Sequence, residues 1–382
     1  MKTKFYLLSI FCSIIATATV WSQNPFTLSA DGKILEKWTG TDPTADMTAY
    51  PELEDVTTIA FGAFNGNTTL ESITISKNVT TIDQYTFAWM GNIKNIFVAE
   101  GNGFYSDVDG VLFDWGKTIL FSYPRAKTEE SYVVPSTVTK IGGLAFHRNM
   151  NLKKITLPAE FSEIQLSETF WAAAQLDTVS CLGKVTSIPA STFSDCYVLK
   201  SVTLPDELTL IGSKAFNQCQ SLSAITIPAN VTSIGDQAFF NNIALTEIVC
   251  LSATPPTLGG NNVFTVNPDA TMPERTLYVP VGSKATYETA WEGKFTGTIE
   301  EKNPAGIGEL EGQSDLTIRV KDNKFQVKGD GSELSFNIFN STGQLVQSLS
   351  NLSESIDQNL KGLYIVNVKR AGEAIKSFKI IL

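Results

Sequence analysis

Phenylalanine returns along this chain at nearly constant intervals, and no other feature restricts the fold as strongly. Phe64, Phe87, Phe146, Phe170, Phe193, Phe216 and Phe239 are separated by 23, 59, 24, 23, 23 and 23 residues, the long step being one ordinary unit of 23 plus one enlarged unit of 36. Six residues after each Phe stands an aliphatic residue (Leu70, Ile93, Leu152, Leu176, Leu199, Leu222, Leu245), and nine and eleven residues after stands an apolar pair, as in Ile73/Ile75, Ile155/Leu157 and Ile225/Ile227. A Val or Leu and an Ile then precede the next Phe, as in Val79/Ile82 and Val231/Ile234. A unit this small cannot enclose a core, so successive units must stack and bury their apolar residues between neighbours.

The alternating pair buries one face of a strand. Stacking then predicts a parallel sheet with one short strand per coil, each Phe plugging the core on the convex side. Tyr132/Val134 supplies the strand after the enlarged unit, and Pro135, Pro158, Pro205 and Pro228 close strands where a missing N–H costs no ladder bond. Gly142, Gly212 and Gly235 fall in the return path toward the Phe. The predicted class is mostly β: a solenoid of stacked parallel strands followed by a small antiparallel β-sandwich.

Residues outside the regular units delimit the domains. The start, MKTKFYLLSIFCSIIATATVWSQ, has lysines, an apolar run and small residues, and reads as a cleaved signal peptide over residues 1–22. Phe11 before Cys12 argues against a lipid-anchor site. FTLSADGKILEKW (26–38) predicts a hairpin about Asp31–Gly32 capping the first coil, with the regular units starting near Tyr50. GNGFYSDVDGVLFDWGKTILFSYP (101–124) predicts a hairpin about Trp115–Gly116–Lys117, bulging from the enlarged coil. TLYVPVGSKATYETAWEGKF (276–295) reads as a closing strand and a short helix from Ser283 that shields the last apolar edge. The solenoid with both caps is thus assigned to 24–300. Polar, Gly-containing sequence from residue 297 onward assigns a linker to 301–314, and short alternating segments over 315–382 assign the β-sandwich.

Composition excludes several functions. The formal charge is -10 and no basic run occurs, which argues against nucleic-acid and anionic-membrane partners; no stretch of the mature chain is long and apolar enough to span a membrane. Beyond the leader, Cys181, Cys196, Cys219 and Cys250 fall at repeat positions where small fillers belong, the middle two matching Asn67, Asn149 and Asn242 of other units, so free buried thiols are expected. The only histidine, His147, sits in a slot that holds Asn65, Ala88, Ser194 and Asn217 elsewhere and is expected to face solvent. There is no G-x-S-x-G and no C-x-x-C, so neither a hydrolase triad nor a zinc site is indicated. SDVDGVLFD (106–114) fails the calcium-loop pattern, and Asp109–Gly110 is read as a turn. Asp177, Asp195 and Glu247 follow no column, and no cofactor is expected.

One column is regular and points away from the core. Thr74, Phe97, Thr156, Ser180, Thr203 and Thr226 lie between the apolar pairs, together with Val133 and Val249. Threonine here supports neighbouring strands; taken together, the column floors an extended concave surface and is the candidate ligand-binding face.

The text I-x-I-P-x-x-V-T-x-I-G-x-x-A-F at 225–239, with DGVLFD (109–114) and LYVPVGSKATYETAW (277–291), resembles the BspA-type leucine-rich repeat surface proteins of bacteria over about residues 30–295. NIFNSTGQLV (337–346), LKGLYIVNV (360–368) and SFKIIL (377–382) resemble the C-terminal sorting domain of the type IX (Por) secretion system. These resemblances imply a leucine-rich repeat solenoid exported to the surface of a Gram-negative bacterium by that machinery and engaged in adhesion. The expected function is non-catalytic binding of a protein or glycan on a host or bacterial surface; a glycan-active enzyme and a structural surface-layer component are the alternatives.

Overall fold

The computed structural model describes residues 24–83, 85–180, 182–302, 317–321, 324–328, 334–340, 345–351, 353–357, 363–370 and 373–381. The predicted leader and Cys181 lie outside the described residues, as does 303–316, which holds most of the predicted linker.

Each solenoid coil carries two strands, where the apolar spacing predicts one. The first holds the alternating pair, as in Ser72–Ile75, Lys154–Thr156 and Ala224–Ile227. The second is two residues long in most coils and ends on the Ile that precedes the Phe, as in Ser187–Ile188, Leu210–Ile211 and Ser233–Ile234. Both kinds stack in parallel, Lys154 against Thr178 and Ser187 against Leu210, so the coil has two sheet faces. Two residues show no alternation, which is why the second sheet leaves no strand signature.

A third side closes the coil where the Phe sits. Phe170, Phe193 and Phe216 each donate their backbone N–H to the next coil, to Thr192 O, Ala215 O and Ala238 O at 2.8–2.9 Å. This arc turns through paired left-handed residues four apart: Glu168/Ala172, Ser191/Asp195, Lys214/Gln218 and Gln237/Asn241 have φ between 52° and 64°. None is glycine, so each costs roughly 1–2 kcal/mol, offset by the inter-coil bonds that the bend permits. Gly235 answers a different need. A Cβ there would lie 2.3 Å from Ser213 N, so coils could not approach as they do.

Inside the arc the rings stack face to face. From Tyr123 through Phe146, Phe170, Phe193, Phe216, Phe239 and Phe264, centroids are 4.9–5.4 Å apart and tilts stay at or below 23°. Trp291 ends the stack at 5.5 Å; at the other end of the solenoid, Trp38, Phe64 and Phe87 form a separate stack.

The break between the stacks marks the enlarged unit. Instead of one bulging hairpin, this unit folds as three strands, Tyr105–Val108, Val111–Asp114 and Ile119–Ser122, with tight turns at Asp109–Gly110 and Trp115–Lys117. The third runs parallel to Lys140–Ile141 and is the coil's own second strand. Val111–Asp114 lies between two hydrophobic cores, with Val111 and Phe113 in the C-terminal one and Leu112 in the N-terminal one.

Capping elements close both ends of the solenoid, with two shifts of boundary. Phe26–Leu28 pairs antiparallel with Ile34–Trp38, but the latter also runs parallel to Thr58–Ile59 and so already belongs to the solenoid, ahead of Tyr50. At the other end, helix Lys284–Ala290 sets Tyr287 and Trp291 over the last coils, where their polar tips donate to Ser252 O (2.8 Å) and Pro256 O (2.9 Å). Thr298–Glu301 extends the solenoid by one more parallel strand with Ile299 buried, although its polar composition suggests linker.

The C-terminal segments form two antiparallel sheets. Thr317–Lys321 pairs with Lys324–Lys328, and Leu345–Leu349, Leu334–Asn340, Leu363–Arg370 and Glu373–Ile381 form a four-stranded sheet in that order.

Candidate recognition surfaces

The predicted column lies on the first-strand sheet, divided into stretches. Thr74 is in register with Phe97, and Thr156 with Val133 on one side and Ser180 on the other. The threonines and Ser180 are half-buried, whereas Phe97 is 40% and Val133 73% exposed. Val249 is buried and leaves the surface. Thr203 and Thr226 are adjacent in the repeat but not in one ladder, because the sheet breaks between Ser201–Val202 and Ala224–Ile227. A cavity of about 180 Å³ occupies the break, lined by both threonines with Val202, Ile225, Lys200 and Asp206. The column is edged by ion pairs between coils: Lys94–Glu71 at 2.9 Å, Lys153–Glu130 at 2.6 Å and Lys200–Asp177 at 3.7 Å. Exposed pairs of this kind contribute at most about 1 kcal/mol each.

The buried polar positions work as inter-coil ties. Asn149 Nδ2 donates to Pro124 O and Arg125 O at 3.2 Å, while its Oδ1 accepts from Asn151 N (3.1 Å) and Leu152 N (2.7 Å). Cys196 and Cys219 occupy the equivalent place as free thiols and donate to Phe170 O (3.1 Å) and Phe193 O (3.2 Å). Burial pushes the Cys196 thiol up to about 12, far from the range of a reactive thiolate. Cys250 is likewise free and buried.

His147 departs from expectation: it is 3% exposed. The enlarged coil offers only a short arc about Tyr123–Ala126, so His147 reaches across to the Phe87 coil, where its Nδ1 lies 3.0 Å from Ala88 O. A carbonyl only accepts, so Nδ1 carries the proton and Nε2 is left with a bare, buried lone pair. The ring is edge-on to Trp89 (4.9 Å) and stacked on Trp171 (5.0 Å). Arg148 lies over both indoles, 5.5 and 5.0 Å from their centroids. Periodicity fixes the slot of His147 but not the shortened arc beside it, which is what buries the ring.

Burial, reinforced by the charges of Arg148 and Arg125 and partly opposed by the Ala88 carbonyl, holds the His147 pKa down to about 4. The folded pKa is below the ordinary 6.5, so its contribution is complete above pH 6.5 and is lost as pH falls toward 4. As the only histidine, it dominates the side-chain titration between pH 6.5 and 5. Denaturant titrations are expected to show about 2 kcal/mol lost over that window at 1.36 kcal/mol per pH unit, and His147→Gln is expected to flatten the slope. An equal slope in both proteins would contradict the assignment.

Among the described residues no group of three His, Cys, Asp or Glu could hold a metal ion. Asp195 accepts from Trp171 Nε1 (2.7 Å), Ser194 Oγ (3.2 Å) and Tyr197 OH (3.0 Å), and Asp177 pairs with Lys200, so both acids have structural partners.

The double-stranded coil, its Phe arc and its 23-residue step decide the family, since six copies of the BspA type leucine-rich repeat region match residues 48–106 and 121–252. The chain belongs to the BspA-type leucine-rich repeat family. One solved structure shares the solenoid fold, and two others are also similar. The pneumococcal vaccine antigen PcpA is 22% identical with a TM-score of 0.52, over 68% of this chain and 67% of that one. A leucine-rich cell surface protein from Faecalibacterium prausnitzii A2-165 is 29% identical with a TM-score of 0.48, over 52% of each chain. A leucine-rich repeat protein from Eubacterium ventriosum ATCC 27560 is 27% identical with a TM-score of 0.40, over 54% of this chain and 66% of that one. The chain therefore spans about half to two thirds of these relatives. The comparison with curated proteins returns no match. No helix among the described residues is long and apolar enough to cross a membrane.

Proposed function

We propose that this BspA-type chain is a non-catalytic, surface-exposed binding protein that recognises a protein or glycan through its first-strand face. The observation that carries the reading is the surface itself: exposed Phe97 and Val133 on either side of one ladder break, half-buried hydroxyls along the strands, and a cavity between Thr203 and Thr226 at the other break. Apolar side chains left in the open on a rigid sheet suit a partner better than water. Resemblance to the sorting domain over 315–382 and the leader at 1–22 support export through the type IX machinery of a Gram-negative bacterium.

The triple variant Thr156→Glu, Thr203→Glu and Thr226→Glu places three carboxylates on the face without touching the core. Saturable binding found in a screen against host matrix proteins, bacterial surface extracts and glycans is expected to weaken by about a hundredfold, the cost of burying charges without partners. Binding at wild-type strength would move the site off this face.

A further inference from the structure

A second surface lies on the arc side, across the seam between the two cores. The solenoid contains three arginines, Arg125, Arg148 and Arg275, and two of them meet here. Arg125 donates through Nε to Arg148 O at 3.0 Å and extends toward Gly91 in the Trp89 coil. Arg148 sits over Trp89 and Trp171, and its guanidinium donates to no other described residue. Several solenoid lysines pair with acids from neighbouring coils, as in Lys94–Glu71 and Lys140–Glu163. Neither guanidinium has such a pair among the described residues. Asp195, the acid on this side, is occupied by neutral donors from Trp171, Ser194 and Tyr197.

Two like charges held together in a chain of net charge -10 are an unmet demand for an anion. The aromatic frame narrows the anion's class. Trp89, 44% exposed, offers an open ring beside Arg148, and Tyr197, 45% exposed, is joined to Trp171 through Asp195, while the indoles fix Arg148 by cation–π contact. Acidic peptides present many carboxylates along a strand and call for a distributed row of cations, which is not found here. A saccharide bearing one acidic group per ring presents a carboxylate or sulfate to the guanidinia and a ring face to the indole.

We propose that Arg125 and Arg148, with Trp89, Trp171 and Tyr197, form a binding surface for an anionic saccharide, separate from the first-strand face. A carboxylate or sulfate ester takes the two guanidinia by charge-assisted hydrogen bonds, and the sugar ring lies on exposed Trp89.

The test is titration of the mature full chain, followed by tryptophan fluorescence and calorimetry. The probes are sialyllactose, a glucuronate disaccharide and galactose sulfate, with lactose as the neutral control and a glutamate oligomer as the peptide control. At least one anionic sugar is expected to bind saturably and more weakly as salt rises, with lactose bound at least about tenfold more weakly. Arg125→Gln and Arg148→Gln, each checked for an unchanged melting temperature, are expected to weaken binding about tenfold or more. Trp89→Ala is expected to weaken sugar binding too, while Thr203→Glu with Thr226→Glu leaves it unchanged. The preference for carboxylate or sulfate identifies the acidic group. Wild-type protein that binds none of the three sugars overturns the proposal, as does undiminished binding by the arginine variants. A glutamate oligomer bound as tightly as the sugars would assign the surface to an acidic protein instead.

Discussion

Phe216→Ala is expected to lower the stability of the solenoid by about 3–5 kcal/mol, the range for deleting a buried aromatic ring. Phe216 is fully buried and stacks on Phe193 at 5.2 Å and Phe239 at 5.3 Å, with tilts of 11° and 4°. The ring therefore joins its own coil to both neighbours, and in a stack whose units touch only adjacent units, both interfaces weaken together. Relaxation into the cavity is limited, because the arc backbone is tied on each side: Phe193 N–H to Ala215 O and Phe216 N–H to Ala238 O, both at 2.8 Å. Trp89 and Trp171 lie before the mutated coil and Trp291 after it, so fluorescence reports on both parts. In denaturant the wild type is expected to melt in one sharp transition and the variant in a broader one, as coupling between the parts weakens. Phe216→Leu retains most of the volume and should lose less. A variant within about 1 kcal/mol of wild type would mean that the rings stack as a consequence of the coil and do not hold it together.

What the sequence shows of this fold follows the length of each signal. The Phe step and the alternating pair recur often enough to predict the first sheet, while the Asp31–Gly32 turn pair and the stretch from Ser283 mark the hairpin and the short helix by local signals. The second sheet is hidden because Ser233–Ile234 and its equivalents hold two residues each. The left-handed pairs are hidden because Lys214 and Gln218 carry no glycine to mark them, and tertiary bonds impose their backbone. Tyr123 escapes the Phe series because it is a tyrosine and follows Phe87 by 36 residues, although it stands the regular 23 before Phe146 and stacks on it like any member. The candidate column is placed by periodicity alone, yet its division at Thr203 and Thr226 depends on a ladder break that no residue type announces. The arc-side cluster has a faint signal: Trp89, Arg148 and Trp171 stand one or two residues after their Phe, where other coils carry smaller or neutral side chains. Its assembly needs the shortened arc of the enlarged coil, which is a property of three dimensions.

The other large effect is expected at the C-terminal end, where the repeat phase fails. Arg275 is 2% exposed, and its guanidinium closes the last regular coil by donating to Leu245 O (3.0 Å), Asn242 O (3.1 Å) and Phe264 O. Burial lowers its pKa to about 10, so it remains charged at neutral pH and needs those three carbonyls as its solvation. Arg275→Ala leaves the carbonyls without that donor and opens a void beneath Phe264. A loss of about 3–5 kcal/mol is expected. It should appear locally, because the neighbouring stack passes through Phe264 to Trp291: limited proteolysis is expected to cut within 252–275 while the earlier coils stay protected. Arg275→Met separates packing from polar closure, since it fills much of the volume without donating. If the Arg275→Met variant resists protease like wild type, the guanidinium's hydrogen bonds only balance the cost of burying its charge. If it opens like the alanine variant, the carbonyls need a donor, and the arginine replaces the inter-coil bonds that the regular repeat would have made.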